Sequence, residues 1–391
     1  MRSDLLRLGP PDDIGAIPRH EANLGRARAP GADDRAPRAA PPMTGPLPRV
    51  NRQYVMAQRP QGEVSERDFA IREVPMPEPK AGEMLVRAHY LSADPLQRYR
   101  MEPTSGYGKV LADGEPLKGR MVGRIVQSRH PGYREGEFVE GMLGWQEYAL
   151  SDGSTGRAEY APGISRVDPS IAPITTSLGI LGMPGVTAYF ALRDICAPKA
   201  GETVVVSSAA GPVGSLAGQI AKLMGARVVG IAGSDLKVAA LTDELGFDAG
   251  INHRTVPDML AALQAACPDR IDAYFDNVGG EISDAVIQHL AWHARIAIVG
   301  DISRVNSATR PPRLDYQQYV MMARAHMKGF IVYDYEDRAD EARREIATWI
   351  REGRIRYHES IVDGFENAPR AFIAMMRGDS IGKQLVRLVA D

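Results

Sequence analysis

Residues 201–214 read Gly201-Glu202-Thr203-Val204-Val205-Val206-Ser207-Ser208-Ala209-Ala210-Gly211-Pro212-Val213-Gly214, and they are the most informative part of the sequence. The β-branched run predicts a buried strand that ends at Ser207, because such side chains pack well on a pleated sheet. Small residues and glycine then predict a tight turn into a helix, whose positive N-terminus would point at an anion. A strand, a glycine turn and a helix in this order are typical of a site for the pyrophosphate of a dinucleotide.

The glycine pattern of this turn departs from the usual one. Ala209 stands where the first glycine of the fingerprint is expected, and Gly211 and Gly214 supply the second and third. The following residues strengthen the interpretation, because residues 215–225 have apolar side chains at helical spacing and end on a glycine, and residues 227–232 predict a second buried strand. A glycine turn in an unrelated βαβ unit is the alternative at this point.

Strands and helices alternate downstream of the turn. Helices are predicted over residues 235–245 and 281–290, and strands over residues 272–275 and 295–299. The tail adds predicted helices over residues 338–353 and 368–377 and a last strand over residues 383–389. This alternation predicts an α/β fold with a doubly wound parallel sheet.

The region upstream of the turn has a different pattern, in which proline and glycine divide short β-like segments. These segments are residues 83–90, 122–128, 138–144 and 146–150, and they predict a small barrel-like domain. We expect the tail to return to it. The predicted division is therefore a barrel-like domain over residues 43–168 and 328–391 and a dinucleotide-binding domain over residues 169–327, with the active site in the cleft between them.

The composition points to a small ligand. The chain has 47 Lys and Arg residues against 49 Asp and Glu, a formal net charge of −2, so it has no basic field for nucleic acid. Only Cys196 and Cys267 occur, which favours a reducing compartment and predicts a cytoplasmic protein. The longest mostly apolar stretch, residues 178–192, is shorter than a bilayer span, so no membrane segment is predicted.

Residues 1–42 differ from the rest of the chain. They are rich in proline and arginine, contain few bulky apolar side chains and have no helical or strand period, which predicts a disordered leader. An arginine-rich transit peptide is the alternative, but the acidic residues of this segment are unusual in one. Met43 follows directly and is a candidate start of the native product.

The end of the second strand indicates the cofactor. NAD-binding proteins usually carry an acidic residue there to bond the ribose diol, but this chain reads Ala232-Gly233-Ser234. The absence of an acidic residue here, with Lys237 one turn later, suits the 2′-phosphate of NADPH. One charge-assisted contact to that phosphate is worth about 1.5–3 kcal/mol. Asp235 would repel that phosphate if it faced inward. We expect it instead in the first turn of a helix capped by Ser234, where Lys237 could also be a merely solvated residue.

Two other chemistries do not fit the sequence. Catalytic zinc in a dehydrogenase needs Cys and His ligands in the barrel domain, yet the first cysteine is Cys196, and His89 and His130 have no partner at ligand spacing. The segment Gly378-Asp379-Ser380-Ile381-Gly382 matches the nucleophile elbow of esterases. That elbow follows a strand and precedes a helix, which is the reverse of the order predicted here.

Several longer motifs carry a family resemblance. They are Tyr90-Leu91-Ser92-Ala93-Asp94-Pro95, Leu143-Gly144-Trp145-Gln146-Glu147-Tyr148-Ala149, Leu181-Gly182-Met183-Pro184-Gly185-Val186-Thr187-Ala188-Tyr189, Tyr274-Phe275-Asp276-Asn277-Val278-Gly279-Gly280 and Gly382-Lys383. With these motifs the chain resembles the zinc-independent medium-chain reductases, which include prostaglandin reductase (leukotriene hydroxydehydrogenase), curcumin reductase and plant alkenal double-bond reductases. The resemblance implies a GroES-like barrel, a Rossmann domain, NADPH as hydride donor and reduction of the carbon–carbon double bond of an α,β-unsaturated ketone or aldehyde. It also suggests a homodimer.

The resemblance assigns cofactor contacts by matching position. Those to the phosphates would come from Gly211, Pro212, Val213, Gly214, Ser234 and Lys237. The nicotinamide side would be formed by Asn277, Val299, Gly300, Ile302 and Ser303, and closed by Phe330, Ile331 and Val332. His253 stands where the family usually has a tyrosine beside the adenosine phosphate and would pair with it more strongly when protonated, unless it is only an exposed loop residue.

Three departures from the family pattern concern catalysis. In Ile302-Ser303-Arg304-Val305-Asn306, Val305 replaces the family tyrosine associated with the nicotinamide ribose and the substrate oxygen. Leu96 replaces another frequent tyrosine, and Ser380 a cofactor-binding asparagine. We therefore assign no catalytic side chain, take Tyr99 as a candidate relocated phenol, and expect Leu96 and Val305 to line an apolar substrate pocket. An NADPH-dependent quinone reductase and a non-catalytic NADPH-binding sensor or scaffold are the alternatives.

Overall fold

The computed structural model describes residues 46–102, 110–112, 114–154, 163–306 and 313–389, and the predicted leader over residues 1–42 lies outside these ranges. Within them the chain forms a two-stranded hairpin, a seven-stranded mixed sheet and a six-stranded parallel sheet. The α/β class, with a barrel-like domain beside a doubly wound sheet, is thereby confirmed.

In its described residues, the barrel-like domain begins with seven strands and one short helix. The strands are β1 Val50–Met56, β2 Phe69–Pro75, β3 Met84–Ser92, β4 Met121–Ser128, β5 Phe138–Gly141, β6 Tyr148–Ser151 and β7 Ser165–Val167, and the helix is α1 Pro95–Arg100. Strand β3 lies at the centre and pairs antiparallel with β4 and β6. Trp145 is buried in the core of this domain and donates from Nε1 to Ser92 O at 3.1 Å.

The parallel sheet and the helices around it follow. The strands are β8 Thr203–Val206, β9 Arg227–Ala232, β10 Ala249–Asn252, β11 Ile271–Asp276, β12 Leu290–Ile298 and β13 His326–Gly329. The helices are α2 Met183–Phe190, α3 Pro212–Leu223, α4 Asp235–Ala239, α5 Met259–Ala266, α6 Gly280–Ile287, α7 Tyr316–Ala323 and α8 Ala339–Arg351. The tail continues with β14 Glu359–Asp363, α9 Ala368–Arg377 and β15 Lys383–Arg387.

The order of strands in the parallel sheet is β10-β9-β8-β11-β12-β13, so the chain reverses direction across the sheet between β8 and β11. The side chains of β8 are fully buried, as their β-branched run predicts. In a doubly wound sheet, the crevice beyond the carboxyl ends of the strands at this reversal is where ligands bind. In the barrel-like domain, β15 pairs antiparallel with β3 and parallel with β14, so the tail returns to it as expected.

Some predicted element ends are wrong. The helix predicted over residues 281–290 ends at Ile287, and Leu290 already pairs with Ile271 of β11, so pairing with the sheet overrides the helical period there. The strand predicted over residues 138–144 stops at Gly141, since Gly144 has a φ of +84°, which belongs to a turn. The helix predicted over residues 235–245 forms, but its second half is wound more widely, as a π-helical turn.

The packing of the cores differs from the predicted domain borders. The border expected between residues 327 and 328 falls inside β13, which pairs with β12. Helix α8 packs Ala342 and Ile346 into the core of the parallel-sheet domain. Ile174 and Leu178, on the other side of the expected border at residue 168, pack with the barrel core. Local patterns do not show which of the two cores covers an apolar side chain, so they do not fix the residue at which one domain ends and the other begins.

Candidate active site

A cleft of about 520 Å³ lies between the two domains. One wall is formed by the carboxyl ends of β8, β9, β11 and β12, and the other by α1, the end of α9 and the start of β15. The cleft brings together most of the residues that sequence analysis assigned to it: Leu96, Tyr99, Gly211, Pro212, Val213, Gly214, Lys237, His253, Asn277, Val299, Gly300, Ile302, Phe330, Ile331, Val332 and Ser380. Ser234, Ser303 and Val305 are the predicted site residues that do not line it.

The turn after β8 is packed too tightly for side chains. A Cβ built on Gly214 would lie 2.5 Å from Ser208 O and 2.8 Å from Ala209 Cα, so this glycine is required for the helix to approach the turn. Gly211 precedes α3 as its N-cap, and Pro212 occupies the first helical position, where a missing N–H does no harm. The N-terminus of α3 therefore faces the cleft with its backbone donors.

Ala209, in place of the first fingerprint glycine, is fully buried and donates from its N to Ile231 O at 2.9 Å. A Cβ built on Gly230 of the neighbouring β9 would lie 2.9 Å from Ala209 Cβ. The glycine in the strand thus provides the room that the alanine in the turn takes up.

The residues after β9 are arranged as the sequence predicts. Ser234 Oγ accepts from Lys237 N at 3.3 Å and so caps α4, which explains why Ser234 does not line the cleft. Asp235 is exposed and accepts from Asn252 Nδ2 at 2.7 Å. The carboxylate is therefore turned away from the place that a 2′-phosphate would occupy.

Three basic side chains meet at this end of the cleft. A Cβ built on Gly233 would lie 3.2 Å from His253 Nε2 and 3.3 Å from Arg254 Nε, and Lys237 Nζ donates to Gly378 O at 2.6 Å. Burial, and then the charge of Arg254, lowers the pKa of Lys237. Partial burial and the charges of Arg254 and Lys237 also lower the pKa of His253 below its usual range.

One expectation changes here, and one residue was missed. His253 is exposed at the rim of the cleft, and its lowered pKa disfavours the protonated form expected to pair with a phosphate. Arg254 lines the cleft but was missed by sequence analysis, although a second basic residue directly after the third parallel strand was a signal that could have identified it.

Asn277, in the turn after β11, is held in place by hydrogen bonds to Ser207 directly after β8. Asn277 N donates to Ser207 Oγ at 2.8 Å, and Asn277 Nδ2 donates to Ser207 O at 2.7 Å, so the two strand ends at the reversal are locked together. The buried Asp276 carboxylate accepts from Tyr274 OH at 2.9 Å, Ser283 Oγ at 2.6 Å and Gly279 N at 2.8 Å. These bonds fix the backbone on which Asn277 is carried.

The segment after β12 corrects one prediction. Val299 N and Gly300 N donate to Asp276 O at 2.8 and 3.1 Å, which places the start of the segment along the cleft. Val305 is only 8% exposed and does not line the cleft, so the expectation that it shapes the substrate pocket is not met. The segment turns inward because Ser303 N donates to Val278 O at 3.1 Å and Asn306 Oδ1 accepts from Arg98 Nε at 3.1 Å.

The barrel side of the cleft combines apolar and ionic groups. Leu96 and Tyr99 of α1 line it, and the Tyr99 hydroxyl oxygen is itself buried. Asp94, the N-cap of α1, accepts from Lys383 Nζ at 2.5 Å, and Lys383 Nζ also donates to Ala93 O at 2.9 Å. This buried ion pair joins α1 to β15. The sequence placed Lys383 in a family motif but did not predict its ion pair with Asp94.

The tail of the chain closes the remaining side. Phe330 N donates to Ile298 O at 2.9 Å, and the Phe330 ring stacks on Tyr335 with centroids 5.0 Å apart. Gly382 N donates to Ala210 O at 2.8 Å, so the strand that begins at Lys383 starts directly against the turn after β8.

Within the part of the chain that the structure describes, no three His, Cys, Asp or Glu side chains are grouped as a metal site would require. His89 lies against Phe138, and His130 against Tyr133, with ring centroids 5.2 and 5.0 Å apart. That no metal takes part stays a prediction. Across the described ranges, no helix is both long and apolar enough to cross a bilayer.

A cleft beyond the carboxyl ends of a parallel sheet, at the reversal of its strand order, is typical of dinucleotide-binding oxidoreductases. Residues 52–158 match the family described as N-terminal domain of oxidoreductase, and residues 212–348 match the family described as zinc-binding dehydrogenase. The putative NADP-dependent oxidoreductase YfmJ of Bacillus subtilis (strain 168) is 46% identical over 340 residues, which cover 86% of this chain and 97% of that protein.

Other relatives have more specific names. The NADPH-dependent curcumin reductase of Escherichia coli (strain K12) is 40% identical, over 87% of this chain and 98% of its own. The NADP(+)-dependent 2-alkenal reductase of Nicotiana tabacum is 36% identical, over 86% and 97%. The crystal structure of CurA from Vibrio vulnificus in complex with NADPH has a TM-score of 0.81 at 39% identity and covers 87% of this chain and 100% of that one.

The chain belongs to the medium-chain dehydrogenase/reductase family of NADP-dependent reductases. It is an NADP-dependent oxidoreductase of the type to which the curcumin and alkenal reductases belong, and NADPH is its cofactor. The cleft fits that cofactor, because a glycine turn with no room for side chains lies at one point and a group of basic side chains at another.

Proposed function

We propose that this reductase uses NADPH to reduce the carbon–carbon double bond of an α,β-unsaturated ketone or aldehyde. The observation that carries the proposal is a single continuous cleft, which has the glycine turn and the basic group along one wall and the largely apolar Leu96, Met183 and Ile302 beside it. The names of the curcumin and 2-alkenal reductases, at 40% and 36% identity, support this substrate class.

The geometry of the cleft supports the residues proposed to hold the cofactor. The turn from Gly211 to Gly214 would hold the pyrophosphate against the N-terminus of α3, and Lys237 the 2′-phosphate. Asn277, fixed by Ser207, and the segment that begins at Val299 would border the nicotinamide. When bound, NADPH supplies the hydride that adds to the β-carbon of the substrate.

The chain itself contributes mainly position and the exclusion of water. Negative charge grows on the carbonyl oxygen as the β-carbon is reduced, and the α-carbon then takes a proton. The loss of one preorganised donor to such an oxygen usually costs about 10²–10³ in rate. Val305 is buried away from the cleft, and the described tyrosines that line the cleft are Tyr99 and Tyr333, whose hydroxyl oxygens are both buried. We propose that turnover proceeds without a phenol donor and is slower than in relatives that keep the tyrosine.

NADPH oxidation with a panel of enones, enals and quinones tests the proposal, with mass spectrometry of the products. The expected result is turnover of enones and enals to saturated carbonyl compounds. Turnover of quinones alone would instead identify a quinone reductase. If no acceptor is reduced while calorimetry still detects NADPH binding, the protein is a sensor or scaffold, and the reductase proposal is wrong.

We also propose a homodimer. Among the described strands, β13 forms an end of the parallel sheet, and a sheet end offers backbone donors and acceptors to a second strand. Three large apolar side chains of β12 and α7, which contact each other, are more than half exposed: Trp292 is 75% exposed, Met321 68% and Met322 63%. Pairing of this edge with its copy across a twofold axis would cover all three.

A further inference from the structure

Two basic side chains of the parallel-sheet domain converge on the end of α9. Lys237 Nζ donates to Gly378 O at 2.6 Å, and Arg254 Nη2 donates to Arg377 O at 2.6 Å. A Cβ built on Gly378 would lie 3.4 Å from Arg254 Nη2 and 3.8 Å from Lys237 Nζ. The ammonium and the guanidinium therefore flank the same point of the backbone, at the rim of the cofactor cleft.

This arrangement brings like charges together. Burial, and then the charge of Arg254, lowers the pKa values of both Lys237 and His253, and Asp379 is the acidic group that favours charge on Lys237. Both cationic heads donate hydrogen bonds to backbone carbonyls, which carry no full negative charge. An anion bound between the two heads would relieve their repulsion.

The carbonyl end of a helix attracts cations, because the last carbonyls have no partner within the helix and carry the negative end of the macrodipole. Helix α9 ends at Arg377, and Gly378 follows with a φ of +79°, a left-handed conformation that favours glycine. The carbonyls of these two residues each take up one cation. A guanidinium that gives one N–H to a carbonyl keeps other donors for a second acceptor.

The two cations and the helix end come from different domains. Lys237 and Arg254 follow strands of the parallel sheet, whereas Ala371 and Phe372 of α9 are buried in the barrel core. Arg254 Nε also lies 3.3 Å from a Cβ built on Gly233, just past the end of β9, where NAD-binding proteins usually carry an acidic residue.

We propose that Arg254 is a specificity-determining residue for the 2′-phosphate of NADPH, and that the carbonyl end of α9 in the other domain holds it and Lys237 toward that phosphate. The inference concerns how the cofactor is chosen, so it does not depend on which organic acceptor is reduced. A phosphate at this point is contacted by two cations rather than by Lys237 alone.

Calorimetry with two fragments of the cofactor tests the assignment. Adenosine 2′,5′-bisphosphate carries the 2′-phosphate, and adenosine 5′-monophosphate lacks it. Arg254→Gln is expected to weaken binding of the bisphosphate about 10- to 100-fold, as the loss of a charge-assisted contact does, and to change binding of the monophosphate by less than about threefold. Arg351→Gln removes an exposed arginine of α8 in the same domain and should change neither affinity.

Unchanged bisphosphate affinity in Arg254→Gln would overturn the assignment, even if the wild-type protein reduces enones with NADPH. Equal losses for both fragments would also overturn it, because they indicate general damage. Gly378→Ala tests the role of the helix end, since the positive φ of Gly378 strains any side chain there and shifts the carbonyls that hold the two cations. It should weaken the bisphosphate about 3- to 10-fold with the monophosphate affinity preserved, and an unchanged value would exclude α9 from the site.

Discussion

Gly214 is the residue at which the cofactor turn has least room. The two atoms nearest to a Cβ at this position, Ser208 O at 2.5 Å and Ala209 Cα at 2.8 Å, are both backbone atoms and cannot move aside by changing rotamer. Gly214→Ala should therefore push the turn away from α3. We expect NADPH binding to weaken at least about 10-fold and the melting temperature to fall, as measured by fluorescence titration and thermal unfolding.

Gly329→Ala provides the matched control for this substitution. No atom lies within 4 Å of a Cβ at Gly329, and its φ is not positive. The affinity should stay at the wild-type value, and the melting temperature should not fall. If Gly214→Ala behaves like Gly329→Ala, the close approach of the turn to α3 is not needed for binding.

We expect the pKa of His253 to change when a phosphate binds. Its pKa lies below the usual range in the free protein because of partial burial and the neighbouring Arg254 and Lys237. A bound phosphate dianion should raise the pKa, since it favours the charged imidazole. NMR titration of the histidine signals, assigned with His253→Asn, should show the pKa rise when adenosine 2′,5′-bisphosphate is present. A pKa that stays the same would show that His253 does not face the phosphate.

Tyr99→Phe tests whether the remaining phenol of α1 takes part in catalysis. Because the hydroxyl oxygen is buried, we expect kcat with an enone to fall by less than about threefold, whereas a lost donor to the carbonyl oxygen would cost about 10²–10³. The NADPH dissociation constant should not change. A hundredfold loss of kcat with normal NADPH binding would make Tyr99 the missing donor.

Local sequence identified the residues whose environment is set by near neighbours. Gly211 and Gly214 followed from the order of strand, turn and helix, and Ser234 from its position before α4. The contact of Arg254 with the end of α9 and the ion pair of Asp94 with Lys383 span 123 and 289 residues, respectively. Such pairs depend on how the two domains close on each other, which no local pattern encodes.

At the scale of elements, the end of β11 depends on the Asp276 carboxylate. It accepts hydrogen bonds from the hydroxyl groups of Ser207, Tyr274 and Ser283 and from two backbone N–H groups, so every one of these contacts requires an acceptor. Burial, and then Asp276, raises the pKa of Tyr274 well above its ordinary value, which keeps the phenol a donor.

Asp276→Asn would place an amide donor against these donors. We expect the free energy of unfolding to fall by about 2–4 kcal/mol, with weaker NADPH binding as Asn277 loses its fixed backbone. Urea unfolding of the variant measures the loss. Asp243→Asn, at an exposed position of the same domain, is the control and should change stability by no more than about 0.5 kcal/mol. Equal stabilities of the two variants would contradict the role given to Asp276.

Elements were predicted well where a single pattern decided them. The strand β8 and the helix α3 followed from a β-branched run and a helical period, and α9 matches its predicted range. The end of α6 was wrong because Leu290 satisfies a helical period but is bound into the sheet by Ile271. Competition between local period and distant pairing is decided by the tertiary structure.

For the whole molecule, the exposed β13 edge of the parallel sheet leads us to expect a homodimer. Replacing Trp292 and Met321 with serine should remove most of the apolar area that pairing would cover. We expect the wild-type protein to sediment as a dimer and the double variant as a monomer, with NADPH affinity preserved because neither residue lines the cleft. A monomeric wild-type protein would contradict the proposed homodimer.

The division into two domains was predicted from the change between short strands divided by proline and glycine and alternating strands and helices. This change does not fix the residues at which the domains meet. Trp349 of α8 and Ile355 after it join the core around Val204, far beyond the expected border at residue 327. A helix with one apolar face fits either core, and only the assembled molecule shows which core accepts it.

The methyl group of Ala209 in the turn occupies space that is left open because residue 230 of β9 is a glycine. Anyone who transplants this loop into another scaffold must therefore carry the strand residue with it, since the alanine alone would collide with an ordinary side chain. Fingerprint searches that demand three glycines in the loop would also pass over the chain, because the third small residue sits elsewhere in the sequence.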